Sequence, residues 1–87
     1  MINQYSLRYE GDLVKGAKRF VKMYEDNFKQ TELSYDERSL YIGEIKNVAV
    51  IVSESSSVPN LTMIGLKELV KEAEKEIISN KFKLCKF

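Results

Sequence analysis

Side chains able to do acid–base or nucleophilic chemistry are scarce in this chain of 87 residues. It has no His, and Cys85 is its one Cys. Without His the commonest general base and a frequent metal ligand are missing. No Ser-His or Cys-His nucleophile, and no zinc site built on Cys and His, can be assembled within the chain. Ser53, Ser55, Ser56 and Ser57 precede a helical pattern. They could hold a phosphate at the helix N-terminus, or they form a solvated turn. A nucleophilic Ser would need a base; Lys46 is the conceivable partner, and no spacing positions it. Gly11, Gly16, Gly43 and Gly65 fit neither GxGxxG nor GxxxxGK[ST], so no nucleotide-binding loop is indicated. No catalytic residue, cofactor or metal ligand is assigned.

Charge is the next resource. The chain has 14 basic and 13 acidic side chains, a net +1. Lys15, Lys18, Arg19 and Lys22 share a helical face, and Lys81, Lys83 and Lys86 follow in the tail. That face could hold RNA phosphates electrostatically. It is thinner than the basic patch of a dedicated nucleic-acid binder. Residues 46–54 contain no aromatic ring, so the stacking platform of an RNA recognition motif is missing. Tyr5, Tyr9, Tyr35 and Tyr41 read as core or interface rings. Glu68, Glu72 and Glu76 recur every fourth residue beside Lys67, Lys71 and Lys75. They form a solvated face relieved by pairs such as Glu68–Lys71, or a surface organised to meet charges on another protein.

The elements that position these groups follow from periodicity. Tyr5, Leu7 and Tyr9 alternate with Ser6 and Arg8, a strand over 2–9, with Glu10-Gly11-Asp12 as the break. Asp12 is placed to cap a helix running to about residue 29, whose buried stripe is Leu13, Val14, Ala17, Phe20, Val21, Tyr24 and Phe28. Thr31, Leu33 and Tyr35 alternate before a turn at 36–39. Leu40 to Ile45 and Val48 to Glu54 read as strands, joined by a two-residue hairpin at Lys46-Asn47, where Asn tolerates positive φ. Both faces of the second strand are apolar, Val48, Val50 and Val52 against Ala49 and Ile51, which suggests a central strand. Pro59 and Asn60 announce a helix with the stripe Leu66, Leu69, Val70, Ala73 and Ile77, ended near Asn80. Phe82, Leu84, Cys85 and Phe87 form a last edge strand or a packed tail. Gly16 and Gly65 then fall one turn into each helix. There they allow close helix approach or docking of another helix, or are simply tolerated.

The expected architecture is one α+β domain over 1–87. An antiparallel sheet of three to four strands carries two helices on one face, in β-α-β-β-α order and of the ferredoxin-like kind. Such a sheet leaves an edge unpaired and its other face bare. Ala49 and Ile51, if they point away from the helices, need a cover, and a second copy or a homologue joined edge to edge is the economical one. A hydrophobic fraction of 44% is enough for a core. No run of apolar residues reaches the length of a membrane span, the N-terminus lacks a signal core, and a lone Cys suits a reducing compartment. A cytoplasmic location is expected.

The segment Ser39-Leu40-Tyr41-Ile42-Gly43-Glu44-Ile45-Lys46-Asn47-Val48-Ala49-Val50-Ile51-Val52, followed by Val58-Pro59-Asn60-Leu61, resembles the small dimerising subunit of the KEOPS complex, which makes threonylcarbamoyladenosine in tRNA. The resemblance covers residues 2–79 as layout and is specific around 39–66. The family helix opens with Leu-Arg-Ala and then Asn-Ser. Leu61 matches the Leu, whereas Thr62 stands at the Arg and Leu66 at the Asn. A divergent paralogue that pairs with the standard subunit is implied. By the same resemblance the chain is non-catalytic, dimerises through its sheet with itself or a homologue, and packs its helices on the catalytic subunit. Candidate interface residues are Leu61, Gly65, Glu68, Glu72, Gly16, Ala49 and Ile51. Two other readings remain open: a small RNA-binding plait acting through Lys15, Lys18, Arg19 and Lys22, and a mobile-element inhibitor that caps a host enzyme.

Overall fold

A computed structural model describes residues 6–28, 32–35, 38–54 and 58–86. Two α-helices, α1 (Ala17–Met23) and α2 (Lys67–Ser79), lie on one face of a sheet built from β1 (Ser6–Leu13), β2 (Glu32–Tyr35), β3 (Arg38–Ile45), β4 (Val48–Ser53), β5 (Leu61–Leu66) and β6 (Leu84–Lys86). The sheet order is β2-β3-β4-β5-β1-β6, with every pairing antiparallel. This is the expected α+β layering with two helices on one face, widened from the three to four strands anticipated to six.

Two stretches account for the widening. Residues 61–66, expected in the helix, form β5 between β4 and β1. The reason is period two: Leu61 and Met63 are buried, while Thr62 and Ile64 turn to the other side. The long helix starts six residues later than the resemblance implies, at Lys67. Leu66 sits at its N-cap with no side-chain bond to the first turn, so Asn60 does not cap it. The tail forms β6 on the outer side of β1 and anchors itself through Phe82, which is buried.

The first strand runs through the expected break to Leu13. Gly11 lies in the strand, paired with Leu61 and Lys86, and the Tyr9 ring lies over it: a Cβ there would meet Tyr9 Cε1 at 2.7 Å. Asp12 is a strand residue paired with Cys85, not a helix cap. Leu13 and Val14 drop out of the helical stripe, and α1 opens at Ala17 after Gly16, again without a side-chain cap. Beyond Met23 the chain tightens into a short 3-10 turn, Glu25–Phe28, which keeps Phe28 in the core.

The hairpin at Lys46-Asn47 forms as expected. Ile45 pairs with Val48, and φ is 50° at Lys46 and 64° at Asn47. Positive φ at both positions matches the right-handed twist of the flanking strands. Strand β4 is central, paired with β3 and β5. Val48, Val50, Val52, Leu61 and Met63 meet Phe20, Val70, Ala73 and Ile77 in one core. Phe20 stands at its aromatic end, with ring centroids 4.8 Å from Tyr24 and 5.2 Å from Phe82. Asn80 ends α2: its backbone N–H bonds the last carbonyls, and its carboxamide donates to the Tyr24 hydroxyl at 2.7 Å. Burial raises the Tyr24 pKa, the Asn80 bond works against this, and the Glu76 charge adds to it.

Gly16 and Gly65 do not mark a helix–helix contact. Gly16 is buried in the turn before α1, where a Cβ would sit 3.4 Å from the Phe82 ring. Gly65 belongs to β5 and faces Val48 and Val70. The close approach falls instead at Gly43, where a Cβ would run into the Asn27 carbonyl and the Phe28 ring. Asn27 fixes that approach by donating to the Glu44 carbonyl at 2.9 Å.

Candidate interaction surface

The helix-free face of the sheet is set by alternation and register. On β4, Val48, Val50 and Val52 point into the core, leaving Ala49 exposed and Ile51 half-buried on the other side. Antiparallel pairing places side chains of adjacent strands in cross-strand rows. One row reads Glu44, Ala49, Ile64, Arg8 across β3, β4, β5 and β1. The next reads Ile42, Ile51, Thr62, Glu10. Ile64 is 40% exposed, and Leu66, further along β5, 45%. The face is therefore aliphatic at its middle, from Ile42 across β4 and β5, with charge at Glu44 on β3 and along β1. Arg8 and Glu10 pair along that strand at 2.8 Å.

The expected interface residues separate onto three places. Ala49 and Ile51 lie on this open face. Glu68 and Glu72 are exposed on the outer side of α2, whereas Glu76 reaches Lys46 across the hairpin at 3.7 Å. Leu61 is fully buried, Gly16 is buried and Gly65 is half-buried against the core, so these three offer no surface to a partner. The sheet edges are only partly covered among the described residues: β6 pairs with Gly11, Asp12 and Leu13 of β1, and β2 with Arg38 to Tyr41 of β3, so the outer side of Ser6 to Glu10 carries no strand. Of the Tyr residues, Tyr9 is a core ring and Tyr41 half-buried; Tyr5 lies outside the described residues.

Ile64, Ile42, Glu44 and Arg8 belong to the open face but were not singled out by the sequence. Ile64 was hidden by the helical reading of 61–66, although the alternation Leu61, Thr62, Met63, Ile64 was the available signal. Ile42 and Glu44 follow from the β3–β4 register, and β5, inserted between β4 and β1, brings Arg8 into the row of Glu44.

The basic residues Lys15, Lys18, Arg19 and Lys22 are all exposed on and before α1. The tail lies beside them. Arg19 donates to the Lys81 carbonyl at 3.0 Å and stacks over the Phe82 ring at 4.2 Å, and Val14 N–H donates to the Lys83 carbonyl at 3.2 Å. Lys81 and Lys83 thereby join the cations of α1 on one flank. Lys18 and Lys22 also border an open groove of about 410 Å³ that runs past Phe28 and Tyr41. Glu25 and Glu54 line the same groove, which balances its charge; the Tyr41 hydroxyl donates to Glu54 at 3.4 Å.

Among the described residues no cluster of three or more His, Cys, Asp or Glu could hold a metal ion, and no helix is long and apolar enough to cross a membrane. Comparison with protein-family models, curated proteins and solved structures found no match.

Proposed function

We propose that the protein is a non-catalytic interaction subunit that works through the bare face of its sheet. The observation that carries this reading is the aliphatic surface formed by Ile42, Ala49, Ile51, Ile64 and Leu66 on the side away from both helices. A contiguous apolar patch on a small domain marks a contact site for another macromolecule. The absence of His from the sequence argues in the same direction, since it removes the usual route to general-base catalysis.

The setting we favour is a cytoplasmic accessory subunit of an assembly of the KEOPS type, pairing with itself or a homologous small subunit and docking on the catalytic subunit through its helices. Support for that setting is the resemblance over the β3–β4 hairpin. The helix-opening part of the resemblance lends none, because 61–66 is strand. The experiment is co-purification of the tagged chain from its own cells. The reading expects a small subunit and the catalytic subunit of a threonylcarbamoyl-transferring assembly among the retained proteins, and loss of the small subunit with Ile51→Glu plus Ile64→Glu. Retention unaffected by those substitutions would move the contact off the sheet. Absence of any tRNA-modifying subunit would remove the assembly.

A second reading has its own observation. The gathering of Lys81 and Lys83 beside Lys15, Lys18, Arg19 and Lys22 makes a cationic flank suited to RNA phosphates. Binding to tRNA that falls steeply with salt supports it; no retention at low salt ends it.

A further inference from the structure

We infer that a second copy of this chain covers the open face, related by a two-fold axis that runs parallel to the strands between β4 and β5. The inference rests on the reading of that face as the contact surface and names its occupant. What carries it is the row Glu44, Ala49, Ile64, Arg8. Its charges are opposite and stand at its two ends, about 14 Å apart at the usual interstrand spacing of about 4.8 Å. Its middle is apolar. Rotation about an axis parallel to the strands reverses the row. Each Glu44 then lies over Arg8 of the second copy, and Ala49 over Ile64, twice in one interface. A two-fold interface has to be self-complementary in this way.

Other features of the face agree. Glu44 is exposed and, among the described residues, makes no ion pair. Arg8 gives one guanidinium nitrogen to Glu10 and has donors to spare. Glu10 is drawn along its own strand toward Arg8, which leaves its methylene stem to meet Ile42 in the neighbouring row, while Ile51 meets Thr62. Stacked sheets lie about 10 Å apart and cross at about 30°. That crossing displaces the ends of the row by about 4 Å, within the reach of Arg and Glu side chains. An axis perpendicular to the strands would instead set Glu10 over Arg8 of the second copy and leave Glu44 facing Ile42. It spends Arg8 on a carboxylate that is already paired and leaves Glu44 without one.

The test uses the full chain and two single variants, Glu44→Arg and Arg8→Glu, followed by analytical ultracentrifugation. Wild type is expected at about 20 kDa, twice the 10.1 kDa chain. Each variant alone places like charges opposite each other at both ends of the row and is expected to sediment near 10.1 kDa. Mixed in equal amounts, the two are expected to form a heterodimer. At one end of the row the arginine introduced at position 44 then meets the glutamate introduced at position 8. At the other end the native Arg8 meets the native Glu44. Recovery in the mixture also shows that both variants fold. A dimer that persists in Glu44→Arg but is lost in Arg8→Glu establishes the perpendicular axis and overturns the proposal. A dimer insensitive to both places the self-contact elsewhere and overturns it, leaving the sheet face open to a different partner. A wild-type monomer across the accessible concentration range overturns it as well. The co-purification of Ile51→Glu plus Ile64→Glu then decides the broader reading independently.

Discussion

The carboxamide of Asn60 closes on the backbone of Leu13: Oδ1 accepts the Leu13 N–H at 2.6 Å, and Nδ2 donates to the Leu13 carbonyl at 3.3 Å. The β1–β5 ladder ends at Gly11 and Leu61, and beyond it Pro59 has no N–H to offer. The Asn60 side chain supplies the donor and acceptor that a further strand residue would have supplied. Its own backbone joins the same junction, N–H to the Gly11 carbonyl and carbonyl to the Ser53 N–H.

Asn60→Ala removes both side-chain bonds and leaves the Leu13 amide without that acceptor. We expect a loss of about 1–3 kcal/mol. Asn60→Asp keeps the acceptor but turns a carboxylate oxygen toward the Leu13 carbonyl, so near neutral pH it should be no better than the Ala variant. Urea denaturation of the three proteins checks both statements; an Asp variant as stable as wild type would show that the donor half of the clamp is idle.

Gly43→Ala should destabilise by about 1–3 kcal/mol, the usual range for overpacking a close contact. The new methyl meets the Asn27 carbonyl and the Phe28 ring, so the 3-10 turn has to lift from β3. Gly65→Ala is the control, since its nearest heavy atoms lie at 3.6 Å or beyond. Equal losses at the two positions would contradict the close approach at Gly43.

Tyr9 makes stability sensitive to alkali. Burial, then the charge of Glu74 and a hydrogen bond with it, and last Cys85, push the Tyr9 hydroxyl from 10 up to about 12. A folded pKa above the unfolded one means that the folded state holds the proton longer. The contribution is intact below pH 10 and is lost as the pH climbs from 10 to about 12. Thermal melting between pH 9 and 12 should show that decline, and Tyr9→Phe should flatten it. A decline of the same size in the Phe variant would assign it to other groups.

Arg19 is held differently from its basic neighbours. Arg19→Ala gives up the bond to the Lys81 carbonyl and the stack on Phe82, at a cost of about 1–2 kcal/mol. Lys15→Ala, Lys18→Ala and Lys22→Ala should each stay within about 0.5 kcal/mol of wild type. Chemical denaturation separates the two outcomes. If tRNA binding is found, only the lysine variants report on phosphate contacts without disturbing the fold.

Much of the fold is legible in the sequence, for reasons that can be named. The β3–β4 hairpin was readable because Lys46-Asn47 separates two alternating apolar runs. The buried stripe Val70, Ala73 and Ile77 was readable because helical spacing persists for several turns. Residues 61–66 were misread because Pro59 and Asn60 are helix-start residues by type, and here both serve the end of a strand junction. The Asp12 cap failed similarly: Leu13 is held in the sheet by β6 and by Asn60, two partners 47 or more residues away. Long-range pairing overrode a sound local signal. The open face was half legible. Ala49 and Ile51 follow from the period of one strand, but Glu44 and Arg8 become neighbours of the same row only through β5.

The place of β1 in the sheet has a consequence for how the molecule is made. Its flanking strands are β5 and β6, drawn from the last third of the chain. The run from β2 to β5 is a meander of successive neighbours and can close as it emerges from the ribosome. Strand β1 has to wait until residues 61–66 are made before its amides find their main partners, so distant loop closure governs the rate of completion. Until then the flank of β5 that β1 will occupy stays open. A newborn chain is most vulnerable to mispairing at that seam, at the moment when the rest of its sheet already exists.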